Sequence, residues 1–155
     1  MAISEDKAFL IYTHLKEVFL LLDHGDRNLF QDFDLSVARF NALMHLNNET
    51  DIGPTELGNK MLCDKANITR LLDGMEASSY IERAQDESDG RRIQIKVKPE
   101  GERQWREARE VHRKATSQRF EVLSPEEQDT LLELLALVSS NLQRQINGDQ
   151  PRRSV

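Results

Sequence analysis

Residues 92–98 read RIQIKVK, so that Ile93, Ile95 and Val97 alternate strictly with Arg92, Gln94, Lys96 and Lys98. A period of two means an extended segment with one apolar face and one solvated face, which is a half-buried strand. A single strand leaves its backbone groups unpaired, and the nearest partner opens at Ile81, across the polar loop QDESDG. The two runs form a hairpin. Just upstream the period changes to that of a helix, with Leu57 and Met61 four residues apart in PTELGNKML and Ile68, Leu71, Leu72 and Met75 recurring in KANITRLLDGMEASSY. Pro54 suits a first helical turn, and Asp64 is placed to cap the second helix. Gly58, small and within the shorter helix, allows close packing of the two.

Longer helices are predicted on both sides. Ser4 to about His24 places Phe9, Tyr12, Leu15, Phe19 and Leu22 on one face; GDRNLFQDFDLS then loses the period and reads as a connection. Ser36 precedes VARFNALMHLNN, whose Val37, Phe40, Leu43, Met44 and Leu46 share a face until the polar NNET. Pro99 starts a helix through Trp105, Ala108, Val111, His112 and Ala115 to about Val122. Ser124, Pro125 and Glu127 make a capping box for a last helix with Leu131, Leu134, Leu135, Val138 and Leu142. No internal repeat interrupts this order.

Composition narrows the function classes. A chain of 155 residues supports one modest core, and 38% hydrophobic with 31% charged residues describes a polar globular protein. No apolar run spans a bilayer and MAISEDKAF is not a signal pattern, so a cytoplasmic protein without a membrane partner is expected. Cys63 is a single cysteine and cannot form an internal disulfide. His14, His24, His45 and His112 show no metal-ligand spacing, and no phosphate loop, nucleophile elbow or triad signature occurs. Neither an enzyme nor a metal or cofactor site is expected. The net charge of −6 is uneven: residues 1–52 carry −5, residues 53–101 only −1 and residues 102–155 carry 0. Within the middle third the hairpin is locally cationic, as a phosphate-facing element would be, and the acidic remainder discourages indiscriminate nucleic-acid binding.

The expected architecture is mostly α with a small β-hairpin wing: a winged helix-turn-helix domain flanked by N- and C-terminal helices. Such a domain places its second helix in the DNA major groove and its hairpin near the backbone or minor groove. Thr55 through Gly101 resembles the MarR family of transcriptional regulators. PTELGNKM is similar to the family's first DNA-domain helix, and KANITRLLDGMEASSYIER to its recognition helix and following strand. DGRRIQIKVKPEG is similar to its wing pattern, with Asp89, Arg91, aliphatic Val97 and Gly101. Lys98 and Pro99 depart from the usual threonine-led helix start, which alters capping and leaves the wing intact. The flanking helices extend the resemblance to nearly the whole chain. It implies residues 1–35 as a dimerisation helix and linker, 36–98 as the DNA-binding domain, 99–147 as further dimerisation helices and 148–155 as a flexible tail.

On the recognition helix Lys65, Asn67, Thr69 and Arg70 fall opposite the apolar positions, where base-edge readers sit. Asn pairs with adenine, Arg or Lys with guanine, and Thr reaches a base or a thymine methyl; each can instead touch only phosphate. Thr55, at a helix start, suits a phosphate or merely begins the helix. Arg91 at the wing tip suits a narrow minor groove, and Asp89 would hold its guanidinium. The plainer alternative is that Asp89 and Gly90 shape a turn below a solvated Arg91. Arg92, Lys96 and Lys98 share one strand face, for phosphate or for solvent.

The resemblance further implies a homodimer, with Phe9, Leu134 and Leu142 as buried interface positions, and a pseudo-palindromic duplex operator with half-sites about 10 bp apart. It also implies a small-molecule effector, aromatic in many members, between the dimerisation helices and the winged domain. Walls from the first, second and fifth helices offer His14, Phe19, Arg39, Phe40, Met44 and Trp105, each of which can equally be a core or surface residue. The reading is a ligand-responsive regulator, a repressor ahead of an activator. Two alternatives stay open. Cys63, before a helix N-terminus that would lower its thiol pKa, could be a redox switch or a small apolar turn residue; the family's peroxide-sensing branch carries its cysteine near the N-terminus, where this chain has none. The winged domain could also bind a protein and no DNA.

Overall fold

The computed structural model describes residues 5–85 and 90–148. In chain order these form α1 (Glu5–Phe30), a 3-10 turn (Gln31–Phe33), α2 (Val37–Asn48), α3 (Pro54–Lys60) and α4 (Lys65–Ala77). Strands β1 (Ile81–Gln85) and β2 (Ile93–Val97) follow, then α5 (Pro99–Phe120) and α6 (Pro125–Ile146). The element order is the expected one. Ser4, Asp89 and all but Gly148 of the predicted tail lie outside the described residues.

The largest difference is in α1, which runs through Gly25 to Phe30, past the end read at His24. The reason is tertiary. Phe30 is fully buried, stacked on Phe40 of α2 with ring centroids 4.3 Å apart and beside the His112 ring of α5 at 5.5 Å. Burying a phenyl ring contributes about 1.5–3 kcal/mol, which outweighs the ~1 kcal/mol cost of a mid-helix glycine.

The chain divides into two compact units, residues 1–113 and 114–155. The core of the first is Phe30, Phe40, Leu43, Leu46, Ile52, Leu57, Ile68, Leu72, Met75, Tyr80, Ile81 and Ile95, with Ala108 from α5. Both helices of the helix-turn-helix begin on recognisable chemistry. Pro54 stands in the first turn of α3, and the Asp64 carboxylate accepts the Asn67 backbone N–H at 2.8 Å to cap α4. Between them Gly58 is buried; a Cβ there would meet the Cys63 carbonyl at 3.3 Å, so the small residue permits the tight corner.

The hairpin is antiparallel, with Ile81 opposite Val97, Arg83 opposite Ile95 and Gln85 opposite Ile93. The loop before α3 joins its edge: the Ile95 N–H donates to the Ile52 carbonyl at 3.0 Å. Gly53 passes so near the strand that a Cβ would sit 2.9 Å from the Ile93 carbonyl oxygen. The wing is therefore held at its base by the segment leading into α3.

In the second unit Ser124 and Glu127 form the predicted capping box, and the Gln128 side chain donates to the carbonyls of Phe120 and Leu123, closing the turn. No residue of α6 is buried. No helix of the described residues is long and apolar enough to cross a membrane.

Candidate nucleic-acid interface

Helix α4 has two chemically distinct sides. Ile68, Leu72 and Met75 are buried, and Lys65, Asn67, Thr69 and Arg70 are all exposed. This partition is what the 3.6-residue period requires, and it leaves polar groups of several kinds on the first two turns. The row is preorganised. The Asn67 side-chain amide donates to Asp64 Oδ2 at 2.7 Å, its Oδ1 accepts from Arg70 at 3.4 Å, and the Thr69 hydroxyl donates to the Lys65 carbonyl at 2.7 Å. The Asn67 amide keeps a second N–H and a second oxygen lone pair for a base.

The wing and the start of α3 converge. Thr55 shares a cleft of about 430 Å³ with Gly53, Pro54, Glu56, Arg91, Arg92 and Ile93. The cleft brings Thr55 together with Arg91 and Arg92 of the wing, which the sequence reading placed on a different element. Arg91 and Lys96 are exposed and Lys98 is half-buried. Arg92 has a second role beyond the phosphate contact expected of it: its guanidinium donates to the Asp51 carbonyl at 3.2 Å and lies 3.9 Å from the Glu56 carboxylate. Gln94 donates to Asp51 Oδ1 at 3.3 Å, so Arg92 and Gln94, two residues apart on the same face of the wing, both tie it to the loop before α3.

The six residues considered for an effector are in unlike surroundings. Phe40 is buried in the stack with Phe30, and the His112 ring stands 5.0 Å away. Arg39 is half-buried, donates to the Gly74 carbonyl at 3.2 Å and faces the Tyr80 ring at 5.7 Å, which links α2 to the end of α4. Met44 is half-buried. His14 and Phe19 are exposed on α1, where the His14 ring engages the Leu10 carbonyl at 2.8 Å. Trp105 is half-buried against the core, its indole N–H is buried with no hydrogen-bond partner among the described residues, and the Arg109 guanidinium lies over its ring at 5.0 Å. His112 and Asp26, 3.3 Å apart, join α5 to α1 beside the Phe30–Phe40 stack, a pairing that the sequence did not indicate.

Cys63 is half-buried, packs against the core, and its N–H donates to the Gly58 carbonyl, which is the behaviour of a small apolar turn residue. No group of three or more metal-ligating side chains converges among the described residues.

One charged cluster escaped sequence reasoning. Arg83 of β1 donates to Glu76 of α4 through its backbone N–H (2.8 Å) and through its guanidinium (Nε, 3.0 Å), and to Asp73 at 2.7 Å. These bonds hold the Glu76 carboxyl below the usual carboxylate range, with the Arg83 side chain as the main cause, and raise the Arg83 guanidinium. The available signal was the alternation itself, since Arg83 falls on the same strand face as buried Ile81.

A two-helix corner with an outward polar row, followed by a basic hairpin tied to the first of those helices, defines a winged helix-turn-helix protein. Comparison with known proteins points the same way. The MarR family model matches residues 35–93. The HTH-type transcriptional regulator SarZ of Staphylococcus aureus is 27% identical over 139 residues, 90% of each chain. A MarR family protein from Bacillus stearothermophilus superposes with a TM-score of 0.79 at 25% identity, over 92% of this chain and 99% of that one. A mutant MarR from E. coli, solved in complex with operator DNA, superposes with a TM-score of 0.78 at 21% identity, over 88% of this chain and 99% of that one. Residues 35–93 thus match a MarR family domain, and over most of its length the chain is similar to winged-helix transcriptional regulators of that family.

Proposed function

We propose that this regulator acts from the cytoplasm as a homodimer that binds a pseudo-palindromic duplex operator, and that a small, in many relatives aromatic, effector releases it. The observation that carries the DNA contact is the juxtaposition of the exposed row Lys65, Asn67, Thr69 and Arg70 with a wing whose Arg91 shares a cleft with Thr55. A helix that presents its N-terminal half outward enters a major groove with those residues on base edges, and an arginine on the following hairpin reaches the adjacent minor groove. Thr55 and Lys96 are assigned to phosphate, and Arg92 divides its guanidinium between phosphate and the Asp51 carbonyl. Asp89 is assigned the task of orienting Arg91. Repression follows from occupancy of a promoter, and the similarity to the operator-bound E. coli protein supports the geometry.

The dimer is supported by apolar surface that has no cover in one chain. Phe9 is 66% exposed, Leu134 55% and Leu142 50%, each among neighbours of the same kind on α1 or α6. Patches of this extent mark an association surface, and a two-fold partner covers both helices with the same residues. The division into a first dimerisation helix to residue 35, a DNA-binding domain over 36–98 and dimerisation helices over 99–147 follows from this assignment. Among the effector candidates, Trp105 has the strongest support, because its buried indole N–H has no acceptor among the described residues.

Selection of duplexes from a random library tests the reading. The expected result is a pseudo-palindrome with half-sites about 10 bp apart. Failure of a folded, dimeric protein to enrich any duplex would favour a winged domain that binds protein.

A further inference from the structure

Arg83 occupies a position where a strand of this kind ordinarily places an apolar side chain. By the period of two it shares its face with Ile81, which is 1% exposed, and it pairs across the hairpin with Ile95, which is 7% exposed. An aliphatic residue there would extend the core at no desolvation cost, and partly buried ion pairs are on balance poor stabilisers compared with well-packed apolar groups. An arginine does what an aliphatic residue cannot: its planar guanidinium donates in fixed directions, so that bonds to two carboxylates fix orientation as well as distance. Glu76 takes the Arg83 backbone N–H on Oε1 and the guanidinium Nε and Nη2 on Oε2, and Nη2 also donates to Asp73.

Both carboxylates lie on α4, one to two turns beyond Lys65–Arg70, and Arg83 is the central residue of β1, whose register with β2 leads back to Arg92 and Arg91. We propose that Arg83, clamped by Glu76 and Asp73, is the positioning residue that sets the wing against the recognition helix, so that the helix and Arg91 engage DNA as one unit. This rests on the DNA-binding reading above. The ties from Arg92 and Gln94 to Asp51 fix the hairpin to the loop before α3, and the Arg83 clamp fixes it to α4 itself. Arg83 is 29% exposed and turned into these carboxylates, and it touches no base or phosphate in this account.

The test is a set of mutant cycles on the full-length dimer, read as affinity for the duplex that the wild type enriches. Arg91→Ala is made in the wild type and in Glu76→Gln, Arg83→Lys and Asp73→Asn backgrounds, with thermal melting to confirm folding. Asp73 is 57% exposed, so its replacement keeps the test open if either of the other two fails to fold. In the wild type Arg91→Ala is expected to weaken binding by about 10- to 100-fold. In the Glu76→Gln and Arg83→Lys backgrounds the same change should cost under about threefold, because a wing that is no longer aimed has little left to lose. Asp73→Asn should give an intermediate value. A brace that only stabilises the fold would lower the melting temperature and leave the Arg91 penalty equal in every background; that outcome overturns the proposal. A wild type that enriches no duplex overturns the DNA-binding reading and the positioning role together, and so differs from additive penalties on an enriched duplex, which remove only the positioning role.

Discussion

Gly101 lies so close to residue 80 that a Cβ on it would stand 2.2 Å from the Tyr80 carbonyl oxygen, which also accepts the Lys98 N–H at 2.9 Å. The glycine that ends the wing pattern is therefore required by the approach of α5 to the end of α4. Gly101→Ala is expected to destabilise the protein by about 1–3 kcal/mol in urea unfolding, and an unchanged midpoint would contradict that account. Glu76 makes a pH prediction. Its carboxyl is held below its ordinary value of 4.5, chiefly by the Arg83 guanidinium, so its contribution is fully present above pH 4.5 and is lost as pH falls through the depressed folded value. The stability gap between wild type and Glu76→Gln should be constant from pH 7 to about pH 5 and should close at lower pH; a gap that widens on acidification would show that Arg83 does not stabilise the charged form. At this scale the sequence is informative about side chains whose neighbours are local, such as Asp64 and Ser124. It is silent about the partners of Arg83, Arg39 and His112, which lie on other elements, 7 to 86 residues away.

Helix α4 joins local and tertiary requirements most directly. Asp64 caps it and also holds the Asn67 amide, which in turn accepts from Arg70. Asp64→Ala should therefore cost about 1 kcal/mol of stability through the lost cap and should loosen the outward row. Its signature would be a broadened base preference in duplex selection; an unchanged preference would mean that the chain from Asp64 to Arg70 does not order the readers. The boundaries of α2, α3, α4 and the hairpin follow from caps, prolines and a period, all of which are short-range. The end of α1 does not. Gly25 reads as an interruption, and only the burial of Phe30 between α2 and α5 carries the helix past it.

At the scale of the molecule the apolar surface is out of proportion to the core. Phe9, Leu10, Tyr12, Phe19, Leu20 and Leu21 on α1 and Leu132, Leu134, Leu137, Leu142 and Ile146 on α6 are each at least half exposed. Leu134→Glu with Leu142→Glu should convert a dimer at about micromolar concentration into a monomer in sedimentation equilibrium, because an apolar contact surface does not accommodate unpaired carboxylates. A dimer of undiminished affinity would remove these residues from the interface. The sequence shows that these faces are apolar, and a single chain cannot show what covers them. The central claim is that the α4 row and the wing meet a phosphate backbone. Titration of the enriched duplex across salt concentrations, for wild type and Arg91→Ala, tests it most directly. Affinity should fall steeply with salt on a log–log scale, with a slope magnitude of about 0.9 for each phosphate neutralised, and the variant should bind more weakly at every concentration. Binding that is insensitive to salt and to Arg91→Ala would contradict it.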